Sequence, residues 1–424
     1  MSNNRRKRLI KLIGPMLIML LFLTGPIGSA SGTQNITVNI DGLSLKTDVA
    51  PVVVNSRTMV PFRAVSEALG LEVSWDAGQQ RVTVIGDGLT VEMMIGDNQA
   101  YVNGAARTLD SAPIIVGGRT MVPLRFIGES FGCTVQWNQS SREVTIQTPP
   151  REMELTGFYA LGDQSTSSWT NLFGRSYPDR AKGNTDLVDT IALGWYTLDE
   201  EGNLLTQSAS GWQRPQGWEE VLAAADDYGL RTEMLVHMTD SNARIRSLIG
   251  STSAVQQAIG QIAAEAVQYD AVNLDLEGLG WNDTPDELMQ VRQDFTNFVK
   301  ALSSELKKSG VELTLCLHPS NSAYPGYDYQ ALGKTADRII IMAYDYGAKP
   351  EPTDLVAQAV EAAAAQVPPE KLILGISLAS ENADSIRTKI GIAKQFQLQG
   401  VALWRLGLIS EDVWQELRSN ITAN

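Results

Sequence analysis

The 424-residue sequence predicts an α/β protein, a (β/α)8 TIM barrel preceded by a smaller duplicated α+β region. Three observations predict it. From Leu155 onward, eight strand-like apolar segments alternate with amphipathic helical stretches; they run over about 270 residues, close to the ~250 usual for such barrels. Ahead of them, a long segment occurs twice at an offset of 62 residues. Between the two textures stands Pro149-Pro150, which reads as a linker.

The first thirty residues are of another kind. Arg5, Arg6, Lys7 and Arg8 precede an apolar run from Leu12 to Leu23, and Gly28-Ser29-Ala30 follows. A basic start, a short apolar run and small residues make a secretory signal peptide over 1–30. The run contains Pro15 and is shorter than the ~20 residues a membrane span needs, so an uncleaved anchor is the weaker reading. The expected location is secreted or cell-wall associated.

The duplicated region is expected over 35–148. Ala50 starts "APVVVNSRTMVPFRAVSEALGLEVSWDAGQQRVTV" and Ala112 starts "APIIVGGRTMVPLRFIGESFGCTVQWNQSSREVTI". Such self-similarity means one folding unit made twice. Each unit reads strand, helix, strand, strand. "RAVSEALG" and "RFIGESFG" show helical spacing and end in a Gly suited to a left-handed C-cap. "LEVSW" and "CTVQW" alternate as half-buried strands do, and the following turns close a hairpin.

The barrel is expected over 155–424, with strands at 155–160, 190–198, 231–238, 271–278, 311–318, 338–347, 371–378 and 400–407. The stretch 161–189 shows no clear helix.

Charge and cysteine content narrow the function. The formal net charge is −14, and loss of a basic leader would make it more negative. A chain this acidic excludes nucleic acid as a partner, because phosphate contact needs a positive surface. Cys133 and Cys316 fall in different expected domains, so no disulfide is expected.

The fourth expected strand contains "AVNLDLEG". Alternate residues of a strand share a face, so Asn273, Asp275 and Glu277 line the barrel interior while Leu274 and Leu276 meet the helices. Such neighbours lie ~6.6 Å apart along the strand. Burying two carboxylates is costly, and close like charges raise one pKa. One carboxyl can therefore stay protonated near neutral pH and act as an acid. Glu277, nearest the mouth, is the better-placed acid.

With Asp270, these residues form D-x-x-N-x-D-x-E, which resembles the D-x-x-D-x-D-x-E signature of glycoside hydrolase family 18. "MAYDYG", with Met342, Tyr344, Asp345 and Tyr346, resembles that family's motif on the sixth strand. Trp404 in "ALWRLG" resembles its sugar-floor Trp on the eighth. The likeness is greatest to the branch of spore-cortex and peptidoglycan N-acetylglucosaminidases. The repeat resembles the stalk domains named after the copper amine oxidase N-terminal domain; it has no His and one Cys, so no copper site is implied.

The resemblance implies substrate-assisted, retaining hydrolysis of β-1,4 bonds after N-acetylglucosamine in an N-acetylated glycan polymer (peptidoglycan, cortex or chitin). Glu277 would be the acid. Asp275 would orient the 2-acetamido group that attacks the anomeric carbon, and Tyr344 would bond its carbonyl. Asn273, Trp404, Asp345, Met342 and Tyr346 would contact substrate. Asp270, of opposite parity, would be structural. No metal and no cofactor is implied. The departure is Asn273, where the family has Asp; an amide cannot share a proton with Asp275. Trp195, Tyr346 and His318 are candidate subsite residues, and His237 reads as a satisfied strand-end His. The 379–399 segment has room for one helix, which implies an open cleft. A chitinase and a non-catalytic glycan-binding wall protein are the rival readings. The stalk is a spacer or a module for a wall or protein partner.

Overall fold

The computed structural model describes residues 35–86, 88–160, 167–208 and 211–423. The expected signal segment, 1–30, lies outside them.

The eight barrel strands are Glu154–Tyr159, Thr190–Leu198, Arg231–Thr239, Ala271–Glu277, Glu312–Leu317, Arg338–Ile341, Leu372–Ser377 and Gly400–Trp404. All neighbours pair in parallel, and the first strand pairs with both the second and the eighth. The barrel is therefore closed and has no free edge. Strand parity sorts the side chains. Leu274 and Leu276 belong to the large apolar layer between strands and helices, while Phe158, Ala192, Leu235, Cys316, Ile340, Met342, Ile373 and Ala402 pack inside the barrel.

Below this inner apolar plug lies a buried polar layer. Both oxygens of Glu154 are bonded: Oε1 accepts from the Thr156 and Thr190 hydroxyls, each at 3.2 Å, and Oε2 from Arg338 Nε at 3.1 Å and Gln399 Nε2 at 2.8 Å. Glu233 Oε2 accepts from Asn273 Nδ2 at 2.6 Å, and its Oε1 from the Thr314 hydroxyl at 2.6 Å. Burial of such groups is tolerable because they are paired.

Two strand expectations change. The sixth strand stops at Ile341, six residues before the expected end. Asp345 takes a left-handed φ of 65°, and the Glu351 carboxylate accepts from both Asp345 N–H and Tyr346 N–H at 3.1 Å. The chain is pulled off the barrel there, which brings Tyr344 to the mouth. In the 161–189 stretch, a short helix forms over Ser168–Phe173, capped by the Ser167 hydroxyl.

The N-terminal region repeats its unit as strand, strand, helix, strand, strand, with helices Phe62–Ala68 and Leu124–Ser130. The single expected leading strand is a hairpin in each copy. Asn55-Ser56 and Gly117-Gly118 all take positive φ, the conformation a two-residue hairpin turn requires. The copies exchange contacts: Arg57 pairs with Asp110 of the second unit, and Arg119 pairs with Asp48 of the first. The first strand, Thr37–Ile40, runs parallel beside Glu143–Gln147, so the start of the region completes the sheet of its end.

This region rests on the barrel helix Ala383–Gln395. The Lys394 ammonium lies 4.0 Å from Asp41 and donates to the Thr148 hydroxyl at 3.0 Å and the Pro149 carbonyl at 3.2 Å. Burial lowers the Lys394 pKa, and the Asp41 charge opposes that shift. The helix is the sole one between the seventh and eighth strands. Among the described residues, no helix is long and apolar enough to cross a membrane.

Candidate active site

The C-terminal ends of the barrel strands gather the site, as in other barrels of this kind. Strand register sets the first contacts. His237 pairs in register with Asp275, and Thr239 with Glu277. Counting outward along the inward face, strand three presents Glu233, Leu235 and His237, and strand four presents Asn273, Asp275 and Glu277. Strand five presents Thr314 and Cys316, and His318 follows it with the same parity.

Glu277 is partly exposed at the mouth and held by two imidazoles. His237 Nε2 lies 3.2 Å from Oε1, and His318 Nε2 lies 3.5 Å from Oε2. Burial pushes the Glu277 pKa up, but the two imidazoles outweigh it and bring it to about 2. His237 is lowered by burial and raised more by its bond to Glu277 and the Asp275 charge, with a net upward shift. Asp275 is 3% exposed, and its Oδ1 is buried without a hydrogen-bond partner among the described residues. Burial and the neighbouring Glu277 charge push its pKa well above the carboxylate range. Burial and like charge thus act on the two neighbouring carboxyls in opposite net directions. The protonated form is favoured at Asp275 over Glu277, because both imidazoles stand beside Glu277.

His237, Asp275 and Glu277 bring one ligand atom each within 4.8 Å of one another. Both oxygens of Glu277 already face imidazole nitrogens, and Asp275 is pushed toward its neutral form. The donor set therefore suits protons better than a divalent cation.

Tyr344 stands opposite the carboxyls; burial first, then the Asp275 and Glu277 charges, raise its pKa, so it remains a hydroxyl donor. A Cβ on Gly375 would lie 3.3 Å from the Tyr344 ring, so glycine leaves room for that ring. Trp404 is half-buried, with Phe158 edge-on at 5.1 Å between centroids and Trp212 tilted across it at 5.3 Å. A Cβ on Gly194 would sit 2.7 Å from the Trp212 ring; only glycine lets that ring close over the second strand. On the other side, His318 lies against Tyr324 at 4.4 Å, and Tyr324 against Trp281 at 5.6 Å. Trp281 is 55% exposed.

Asp345 is exposed, and Tyr346 is half-buried with its hydroxyl donating to Asn321 Oδ1 at 2.9 Å. Asp270 Oδ2 accepts from Thr232 N–H at 2.8 Å, which ties the third and fourth strands together away from the cleft.

Three expected contacts are not at the surface of the cleft. Asn273 is fully buried beneath Asp275, donating from Nδ2 to Glu233 Oε2 and accepting at Oδ1 from Cys316 Sγ at 3.1 Å. Met342 lies in the apolar plug. Trp195 has the outward parity of its strand and packs on Trp218 among the helices. Both cysteines are buried, and they form no disulfide with each other. Glu233 and Trp212 were not picked out from the sequence. Glu233 lies four residues before His237, so strand parity alone could have found it; Trp212 lies in a loop and had no such signal.

A buried carboxyl with an unsatisfied oxygen, a second carboxyl at the mouth, a hydroxyl donor and stacked aromatic rings can together bind a polar molecule and exchange a proton with it.

Residues 206–382 match the family described as glycosyl hydrolases family 18, and residues 39–146 match the copper amine oxidase N-terminal domain. The barrel is thus similar to family 18 over those residues, and the region before it to a copper amine oxidase N-terminal domain. The first match includes Asp275, Glu277 and Tyr344 and stops before Trp404. Over 205 residues the chain is 28% identical to a protein named as a sporulation-specific glycosylase, YdhD of Bacillus subtilis (strain 168), covering 45% of each. It is 20% identical to the cortical fragment-lytic enzyme of the same organism, over 40% of this chain and 54% of that one. The chain therefore spans about half the length of these curated relatives. Among solved structures, the spore cortex-lytic enzyme SleL of Bacillus megaterium QM B1551 superposes with a TM-score of 0.52 at 17% identity, over 65% of this chain and 75% of that one. A chitinase from Chromobacterium violaceum ATCC 12472 gives 0.51 at 17% identity, over 63% and 98%. At such identities the structures speak for the fold.

Proposed function

We propose that the barrel hydrolyses β-1,4 bonds after N-acetylglucosamine in peptidoglycan or spore cortex, with retention and with the substrate's own acetamido group as nucleophile. The observation that carries this reading is Asp275 Oδ1, buried and unpartnered beside Glu277. An orphaned buried acceptor is costly, and an acetamido N–H lying on the barrel mouth would satisfy it. Tyr344 would donate its hydroxyl to the acetamido carbonyl and hold that oxygen below the anomeric carbon. Trp404 would stack under the ring. Glu277, once protonated, would give its proton to the bridging oxygen as the carbonyl oxygen bonds to the anomeric carbon. As positive charge spreads into the oxazolinium ring, the acetamido N–H would become a stronger donor, and its bond to Asp275 Oδ1 would stabilise that charge. Water, losing a proton to Glu277, would then open that ring from the face the leaving group vacated.

The names of the similar proteins support a wall glycan, and so does the lone helix between the seventh and eighth strands. No inserted domain there walls the cleft, so a bulky cross-linked polymer can approach. Hydrolysis of chitin oligomers is the second reading, favoured by the shared fold of the chitinase. The N-terminal domain would hold the barrel to the wall or to a protein partner, and the 1–30 segment would export it.

Incubation of the full chain with purified peptidoglycan and, separately, with chitin oligomers tests this. New N-acetylglucosamine reducing ends from peptidoglycan are expected. Turnover of chitin oligomers alone would replace the substrate assignment, and retention on peptidoglycan without turnover would make the barrel a binding module.

A further inference from the structure

The chain contains two histidines in 424 residues, and both aim Nε2 at the two oxygens of a single carboxylate, that of Glu277. They come from different strands. His237 is on the third, in register with Asp275; His318 follows the fifth, wedged against Tyr324. A carboxylate flanked in this way is well held but lacks the proton that a general acid must give. The proton must arrive from a neighbour.

We propose, building on the glycosidase reading, that His237 is the proton source for Glu277. In the ligand-free protein the pair is imidazolium and carboxylate. When a sugar ring covers the mouth and removes water, the charged pair loses its solvation, and one proton crosses from Nε2 to Oε1 over a contact of 3.2 Å. The new O–H then turns to the bridging oxygen. That oxygen takes the proton as its bond to the anomeric carbon breaks and the acetamido oxygen bonds to the same carbon. In the second half, water gives its hydroxyl to the anomeric carbon and its proton to Glu277, which returns it to His237. One water is consumed, and the protein recovers its proton. His237 acts through Glu277 and is a positioning residue; His318 steadies the other oxygen.

Every group packed against the pair fits this assignment. Asp275, below, is pushed toward its neutral form, so it does not hold the imidazolium in place of Glu277. Cys316 and Tyr344 have raised pKa values and stay neutral, as does Tyr327, which bonds the Leu276 carbonyl at 2.8 Å. Asp345 stands farther out, on the exposed rim. From the second strand the inward residue is Gly194, which brings no charge.

Because the raised pKa is that of His237, the active protonation state persists below that value and is lost as pH rises through it. The experiment is a pH profile of kcat/KM on solubilised peptidoglycan for the full chain and its His237→Gln variant. The parent should fall off on the alkaline side above the ordinary His value of ~6.5. In His237→Gln, Glu277 must take its proton from water, so that fall should move at least one pH unit toward acid. At pH 7.5 the variant should lose about tenfold or more, and at pH 5 it should come within about threefold of the parent. An unmoved alkaline limb, or an equal loss at every pH, would overturn the assignment. Imidazole 15N shifts of the unliganded chain supply a second readout that needs no turnover. His237, identified by the signal missing in His237→Gln, should be an imidazolium at pH 7 and lose that state in Glu277→Gln; an imidazolium at His318 alone would overturn the proposal. Two neutral rings at pH 7 would also overturn the proposal. An imidazolium found in a chain that turns over no glycan would instead refute the glycosidase reading and leave the pairing intact.

Discussion

At the closed end of the barrel, Glu154 and Glu233 have all four carboxylate oxygens bonded. At the open end, Asp275 buries an oxygen with no partner, and Glu277 has imidazoles on both sides. Both groups stand on inward-facing positions of parallel strands and both are acidic. The difference is satisfaction. The closed end is complete without any other molecule and serves stability. The open end is left incomplete, with a buried oxygen that a ligand would satisfy under the proposed function. Parity and residue type alone do not separate the two; the number of bonds each oxygen receives does.

The largest expected effect falls at the open end. Glu277→Gln should lower turnover of the responsive glycan about 10³-fold or more, since it removes the proton transfer and keeps the shape. Reducing-end release measures it, and a rate within about tenfold of the parent would strike Glu277 from the mechanism. Next comes Asp275→Asn, with a loss of about 10²-fold. Its thermal unfolding should match the parent, because the residue it replaces had an unsatisfied oxygen. A near-normal rate would place Asp275 with the structural acids. The smallest and opposite case is Glu233→Gln. It replaces one of two bonded oxygens by a donor that faces the Thr314 hydroxyl or the Asn273 amide, and should cost about 2 kcal/mol of stability in urea unfolding. Its turnover should stay within about threefold of the parent. A large loss of rate without loss of stability would mean that the two ends are not separate.

Much of this was legible in one dimension. The strand at 190–198, and that expected at 271–278 and found to end at Glu277, follow from apolar runs bounded by helical patterns, and the duplicated region from its offset. The inward placement of Asn273, Asp275 and Glu277 follows from alternation. What was not legible has identifiable causes. Asn273 shares the face of Asp275 but lies one step deeper, where Glu233 takes its amide, so depth along the axis decides whether a polar residue meets solvent. Met342 shares its parity with Tyr344 and is likewise one step too deep. The sixth strand ends early because Glu351, ten residues beyond Ile341, binds the backbone of Asp345 and Tyr346. Trp195 and Gly194 are adjacent, yet only the glycine faces the site, and the ring that covers it comes from Trp212, eighteen residues later.

The sequence by itself determined the alternation of strands and helices, the duplication, and which residues of each strand look inward, because these depend on periods of two and 3.6 and on local turn chemistry. Only the tertiary structure decided that both histidines of the chain meet one carboxylate, and that burial pushes the Asp275 pKa up while the imidazoles bring that of Glu277 down. Those outcomes depend on distances between different strands and on how far each group is removed from water, and neither quantity is carried by a single segment of chain.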